Sequence, residues 1–297
     1  MQRVSYKTSL LKEISRAVLV LLIFSMTSCN HGGDKRNMNE TEVFWSDYDF
    51  NDKKLINHPE LLQQQVLSFI NLLDRYSAQN SKNAIGLFMD KLLAADTSIV
   101  KHTVDEVLEK FLYRADSPIR NEFYYLTVVD CILKSENIST IDKERFIFQR
   151  KLITTNLVGS VANNFSYVTK EGHTGTLADI KAEYLLIYFN NPDCDECKRV
   201  KEMMENSPEI ASGLQSRQLV VLSLYPDKDL TVWRKAKYPE KWIDTYNEDQ
   251  SIMNKSLYDL RAIPCLYLLD KDKHVIFKDG VLEDILSFLK QNSKAVN

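Results

Sequence analysis

Two cysteines separated by two residues, Cys194-Asp-Glu-Cys197, stand between two contrasting runs of sequence. Leu185 to Phe189 before them is a continuous apolar stretch of strand length, and Asn190-Asn-Pro-Asp193 has the residue types of a turn. After them, Val200, Met203 and Met204 recur at helical spacing. A strand that delivers two thiols to the start of a helix is the arrangement a dithiol/disulfide couple needs. The first sulfur sits where unpaired amides and the helix dipole favour a thiolate, and the second lies one turn on, within bonding reach. Cys194 is therefore the candidate nucleophile and Cys197 the candidate resolving thiol. Between them, Asp195 and Glu196 suit a helix N-terminus but repel a neighbouring thiolate, two effects that oppose each other at Cys194.

The chain that must position this pair has 297 residues, enough for two domains with separate cores. Its 38 basic and 41 acidic residues are nearly balanced and dispersed, which gives no footprint for nucleic acid. With 8 glycines and 7 prolines it is neither low-complexity nor loop-dominated. The 5 cysteines, at 29, 131, 194, 197 and 265, are too sparse for a disulfide-stapled scaffold. Zinc would want a second close-spaced Cys or His pair, and His31, His58, His102, His173 and His274 are scattered singly, so no metal is expected. Cys131, inside the apolar segment Leu126 to Leu133, reads as a small buried hydrophobe.

Arg3, Lys7, Lys12 and Arg16 precede Ala17 to Phe24, an uninterrupted apolar run too short for a mature transmembrane helix. Ser25-Met-Thr-Ser-Cys29 follows at once, with Met26 where Leu is usual, and the whole resembles the signal of bacterial lipoproteins. The resemblance implies a signal over 1–28, removed before Cys29, which is then lipidated. An ordinary signal peptide or an uncleaved anchor are the alternatives. Residues 29–42 are polar and aperiodic, as a tether is. Export, to the periplasmic side of a bacterial membrane, would place the dithiol where no glutathione pool keeps it reduced, so it would depend on a thiol electron donor.

Residues 43–157 read as an all-α bundle. Leu62, Val66, Phe69, Ile70 and Leu73 form one stripe in Pro59 to Tyr76, and further amphipathic helices are expected over 84–94, 100–113, 119–133 and 141–152. Thr97-Ser98, Asp116-Ser-Pro118 and Ser139-Thr140 supply breaks or caps between them. Residues 158–297 read as α/β. Strands are expected over 164–169, 185–189, 219–225, 265–270 and 274–278, with a turn at 171–175. A helical and aromatic insertion containing Trp233, Tyr238 and Trp242 is expected before Ala262, and a final amphipathic helix closes the chain. The order β-α-β-α-β-β-α implies a central mixed sheet flanked by helices, ending in an antiparallel hairpin.

With the apolar strand before the turn, Cys194-Asp-Glu-Cys197, Ile263-Pro264 opening a strand and the closing hairpin with Gly280, this half resembles the thioredoxin-like family. The likeness is to its branch of exported, membrane-tethered thiol-disulfide oxidoreductases. The resemblance implies a redox-active Cys194–Cys197 disulfide with no other cofactor, a cis Ile263–Pro264 bond that positions substrate, and disulfide-bearing exported proteins as substrates. Departures from the family pattern are Asp193 where many relatives carry an aromatic residue, and Tyr188 where thioredoxin has a buried carboxylate. Cys265 follows Pro264 where a small residue is usual, and is expected to be buried and structural. The helical half resembles, by position alone, the region of unassigned role that precedes such domains in some bacterial lipoproteins.

A thiol-disulfide oxidoreductase is the leading reading. A binding or scaffold module on the same fold is the alternative. A peroxidase fits less well, because Ile187 and Asn191 stand where its motif needs Pro and Thr or Ser. The anchor is open to a direct check. Cys29→Ala should release the protein from the membrane with both domains folded, whereas a variant that still sediments with membranes after a carbonate wash identifies Ala17 to Phe24 as the anchor.

Overall fold

The computed structural model describes residues 40–293; the signal segment, Cys29 and the tether up to residue 39 lie outside the described residues. Contacts divide the chain into two compact units between Lys143 and Glu144. This division falls inside a helix, α7, Thr140–Thr154. The C-terminal turns of α7 go with the second unit, where the Lys278 ammonium donates to the carbonyls of Leu152 and Ile153 at 3.1 and 2.7 Å.

The first unit is helical throughout. Two short helices, α1 (Glu40–Val43) and α2 (Lys53–Asn57), precede α3 (Glu60–Leu73), α4 (Ala78–Leu93), α5 (Thr97–His102), a π-helix over Thr103–Tyr113 and α6 (Glu122–Lys134). Side-chain caps set the starts. Ser77, Asp96 and Asn121 accept from the backbone amides of Asn80, Ser98 and Tyr124 at 3.3, 2.8 and 3.1 Å. The expected stripe of α3 is buried as written, Leu62, Val66, Phe69, Ile70 and Leu73. α1 and α2 are too short for a periodic signal, yet the link between them carries Trp45, which packs on Phe88 at 4.8 Å and Phe69 at 5.5 Å between ring centroids. Lys91 on α4 holds that link by donating to the carbonyls of Trp45 and Ser46 at 2.6 and 2.7 Å.

The expected single α-helix over 100–113 is instead two windings. Beyond His102 the buried positions Thr103, Val107 or Leu108, and Leu112 or Tyr113 step by four to five residues, wider than an α-turn. The Arg114 amide closes the segment onto the Glu109 carbonyl at 3.1 Å, an i→i−5 bond. Tyr113 then stacks on Tyr125 of α6 with centroids 4.7 Å apart.

In the second unit the strands are β1 (Ser166–Thr169), β2 (Thr174–Thr176), β3 (Tyr184–Phe189), β4 (Leu219–Tyr225), β5 (Ile243–Tyr246), β6 (Cys265–Asp270) and β7 (Val275–Phe277). They form one mixed sheet in the order β2-β1-β5-β4-β3-β6-β7. Its helices are α8 (Asp195–Glu205), α9 (Pro208–Gln215), α10 (Leu230–Lys235), α11 (Ser251–Asn254) and α12 (Leu282–Ser293). The closing hairpin β6–β7 is antiparallel.

Two strands add to the expected order. The predicted turn at 171–175 is tighter and continues into β2, with Gly172 at φ +85° supplying the left-handed residue a side chain would resist. The Ile243-Asp-Thr-Tyr246 stretch, expected within the helical insertion, is β5, parallel to β4 and antiparallel to β1. Four residues in isolation carry too little pattern to be recognised; their partners decide them.

β3 lies at the centre, parallel to β4 and antiparallel to β6 along its whole length. Its side chains alternate between two cores. Leu185, Ile187 and Phe189 join Leu222, Leu224, Cys265, Tyr267 and Tyr258 on one face. Leu186 and Tyr188 join Val221, Leu266 and Leu268 on the other, under Val200 and Met204 of α8 and Leu282, Ile285 and Leu289 of α12. Burial on both faces is why β3 reads as an unbroken apolar run. Leu186→Ala should cost about 2–5 kcal/mol in urea unfolding, the range for a closed core that collapses only partly around a lost side chain. A loss well under about 1 kcal/mol would show that the layer between β3 and α8 is loosely filled.

Candidate active site

The C-terminal end of β3 carries the chain into the turn Asn190-Asn-Pro-Asp193. Asn191 shapes that turn. Its Oδ1 accepts from the Asp193 amide at 2.9 Å, its carbonyl accepts from the Cys194 amide at 3.0 Å, and its Nδ2 donates to Asp227 at 2.7 Å. The turn leaves Cys194 as the N-cap of α8, in extended backbone, with Sγ accepting from the Cys197 amide at 3.1 Å. The sulfur thus takes the place of a capping oxygen, bonded to one of the donors that a helix start leaves unpaired.

Cys197 sits inside the first turn at 1% exposure, in the same core as Val200, Leu266 and Ile285. Burial pushes its thiol well up, the Asn191 backbone N–H opposes this, and the nearby Cys194 adds to the rise. The two sulfurs therefore differ in kind: Cys194 is half-buried at a helix end, and Cys197 is enclosed. Asp195 and Glu196 turn outward and pair with Lys198 and Arg199 at 3.0 and 2.6 Å, so each carboxylate beside the thiols has a cation one turn along.

Across from Cys194 runs the loop into β6. The Ile263–Pro264 bond is cis, and the Cys194 thiol lies 3.8 Å from the Ile263 carbonyl oxygen. Cys194, Cys197, Ile263 and Pro264 are thus brought together, although the loop is almost seventy residues downstream. Cys265 is not part of the group. It is fully buried, but on the opposite face of the sheet from Cys197, with its thiol 3.6 Å from the Asp259 carbonyl. Cys131 is half-buried on α6 rather than enclosed, because it lies at the margin of the helix's apolar face; burial still pushes its thiol up. Among the described residues no group of three His, Cys, Asp or Glu side chains is placed to hold a metal ion.

Behind Cys197, Asn190 and Tyr238 escaped sequence reasoning as site components, and Tyr188 was singled out there without a role. Tyr188 donates to the Cys197 carbonyl at 2.6 Å. Asn190, 1% exposed, donates to the Tyr188 carbonyl at 2.9 Å and to Ser223 Oγ at 3.0 Å, and accepts from the Tyr238 hydroxyl at 2.5 Å. Burial pushes both tyrosine hydroxyls up, so both remain protonated. Behind Tyr238, Asp244 is raised by burial and held against that rise by Lys170, 2.7 Å away, and by the Trp233 indole N–H. The signal that could have pointed here was Tyr188 itself, a polar tip in a run otherwise free of polar side chains.

Residues 40–156 match the family described as domain of unknown function DUF5106. The whole chain resembles a crystal structure of a thioredoxin-like protein from Bacteroides caccae, at 31% identity over 90% of this chain and 99% of that one, with a TM-score of 0.79. The chain belongs to the thioredoxin-like family. The C-terminal domain of an uncharacterized protein from Bacteroides fragilis is 42% identical over 46% of this chain and 98% of that one, with a TM-score of 0.45. A thiol:disulfide interchange protein from Bacteroides sp. is 19% identical over 46% of this chain and 89% of that one, with a TM-score of 0.39. No curated protein matches the chain.

The thioredoxin-like unit thus carries, under its dithiol, a buried network of neutral hydroxyls and an amide. Asn190→Ala removes the acceptor of the Tyr238 hydroxyl and should cost about 1–3 kcal/mol for the group left unpaired. Combining it with Tyr238→Phe removes the stranded donor, so the double variant should be less destabilised than the two single losses added together. Strict additivity in denaturant unfolding would show that Tyr238 does not depend on Asn190.

Proposed function

We propose that this thioredoxin-like protein is an exported, membrane-anchored thiol-disulfide oxidoreductase that works through Cys194 and Cys197. The observation that carries the reading is the capping of α8 by the Cys194 sulfur, beside the Ile263 carbonyl and one turn from an enclosed second thiol. The Cys194 thiolate attacks one sulfur of a substrate disulfide, forming a mixed disulfide and releasing the other half as a thiolate that takes up a proton. The Cys197 thiol then loses its proton and attacks Cys194 Sγ. The Cys194–Cys197 disulfide forms, and the second substrate sulfur leaves as a thiolate. A thiol donor returns the pair to the dithiol.

The backbone at Ile263 and Pro264 lines the approach to Cys194 and would align an extended substrate segment beside the sulfur. Substrates would be exported proteins that carry disulfides. No metal or organic cofactor enters the exchange, since the two sulfurs themselves change oxidation state. The anchor is proposed from the Ser25-Met-Thr-Ser-Cys29 pattern alone, with lipidated Cys29 holding the protein to a bacterial membrane and the thioredoxin-like unit in the periplasm. Among the described residues no helix is long and apolar enough to cross a membrane.

Insulin reduction in the presence of dithiothreitol tests the activity, and trapping tests the division of labour. Cys197→Ser should accumulate dithiothreitol-sensitive adducts with client proteins on non-reducing gels, while Cys194→Ser should show neither adducts nor turnover. The reverse pattern would exchange the two roles. A wild type that reduces no insulin, together with two variants that trap nothing, would favour the binding-module reading.

A further inference from the structure

Resolution of the mixed disulfide asks the enclosed thiol to ionise, and burial opposes this. Cys197 lies inside the first turn of α8 and is enclosed there. A cation, Lys201, lines the same cleft as Cys197. Cys197, Lys201 and Glu205 follow one another at i, i+4 and i+8 on one face of α8. The Lys201 ammonium lies 2.8 Å from the Glu205 carboxylate, with the two side chains 25% and 31% exposed. It also lies over the ring of Tyr238, 5.6 Å from its centroid. Cys197, Lys201, Tyr188 and Tyr238 line one cleft of about 200 Å³.

The other groups that face Cys197 do not supply this charge. On α8, Lys198 is drawn to Asp195, and Glu196, though paired with Arg199, adds to the rise that opposes ionisation of Cys197. On β3 and in the segment after α10, Tyr188 and Tyr238 are neutral phenols, and Lys237 at the cleft mouth is exposed. Behind Tyr238, the charge of Asp244 is matched by Lys170 at 2.7 Å. From the turn come the Asn191 N–H and Cys194 itself.

We propose that Lys201 is a positioning residue for the resolving step: its ammonium stabilises the thiolate that Cys197 forms, and Glu205 limits how much of that charge the sulfur feels. This rests on the thiol-disulfide reading. The Cys197 proton leaves to water in the cleft, the new thiolate attacks Cys194 Sγ, and the bond to the substrate sulfur breaks with that sulfur leaving as a thiolate.

Release of 2-nitro-5-thiobenzoate tests the idea in the full-length protein carrying Cys29→Ala and Cys131→Ala, which leaves the dithiol and the fully buried Cys265. Dithiobis-nitrobenzoate added to the reduced protein forms the adduct on Cys194 with a first release of thiobenzoate, and attack by Cys197 gives a second, slower release. Cys197→Ser, which keeps the adduct, sets the baseline. The rate of the second release is read against pH. Lys201→Met should raise its midpoint by about one pH unit and slow it about tenfold at neutral pH. Lys201→Arg should restore it. Glu205→Gln should act in the opposite direction, lowering the midpoint and speeding the release, which loss of a merely structural ion pair would not do. An unmoved midpoint in Lys201→Met, or a Glu205→Gln protein slowed like Lys201→Met, overturns the proposal while leaving the dithiol reading intact. A wild type that forms no adduct, or never resolves it, removes the dithiol reading and this proposal with it.

Discussion

The double pairing of β3 is the constraint on which the site depends. Six consecutive residues are hydrogen-bonded to β4 on one edge and β6 on the other, and both faces of the strand are buried. A strand held on four sides cannot slide, because a slip of one residue would exchange its two faces, sending Tyr188 to the side of Leu185 and Ile187 and Phe189 to the polar cleft. Its end therefore delivers Asn190 to a fixed point, and the turn that follows sets Cys194 at the tip of α8. The same ladder brings the start of β6 alongside the end of β3, with Phe189 opposite Cys265, which puts the Ile263 carbonyl against the first sulfur. The Ile263 carbonyl and the first sulfur are thus registered by one set of hydrogen bonds.

Around that frame the two sulfurs are given unequal surroundings. A capping position leaves Cys194 half-open and beside an unpaired amide, whereas enclosure by aliphatic side chains holds Cys197 as a thiol. The asymmetry is one of access: Cys194 meets solvent and Cys197 does not. The polar layer beneath, with Tyr188, Asn190, Ser223 and Tyr238 each partnered, is built of neutral groups. Charge enters from the side instead, through Lys201 with Glu205 and through Lys170 with Asp244.

The helical unit is built on different terms. Capped helices around an aromatic cluster centred on Trp45 account for its core, and a π-wound segment sits in the middle of it. An i→i+5 ladder is less favourable than an α-helical one and is kept where side-chain packing over-determines it; here Val107, Leu108, Leu112 and Tyr113 are all enclosed.

What the sequence determined by itself is what short-range pattern can encode. The strand, turn and helix around Cys194 and Cys197 follow from apolar runs, turn residues and helical spacing within some twenty residues. The helical and α/β halves follow from the same periodicities over longer stretches. Pro264 could be singled out only through resemblance, because no local rule links it to a cysteine pair so far upstream. Tertiary structure alone decided the rest. β5 is four residues whose partners, β4 and β1, make it a strand. Whether Cys265 shares a compartment with the dithiol depended on which face of β6 it takes, a matter of register against β3. The Tyr188–Asn190–Tyr238 network joins residues 48 positions apart through hydroxyl and amide bonds that exist only once the segment after α10 has folded over the end of β3. Winding along residues 103–113 escaped for a related reason: α and π periods differ by less than one residue per turn, so packing against α3 and α6, not pattern, selects between them.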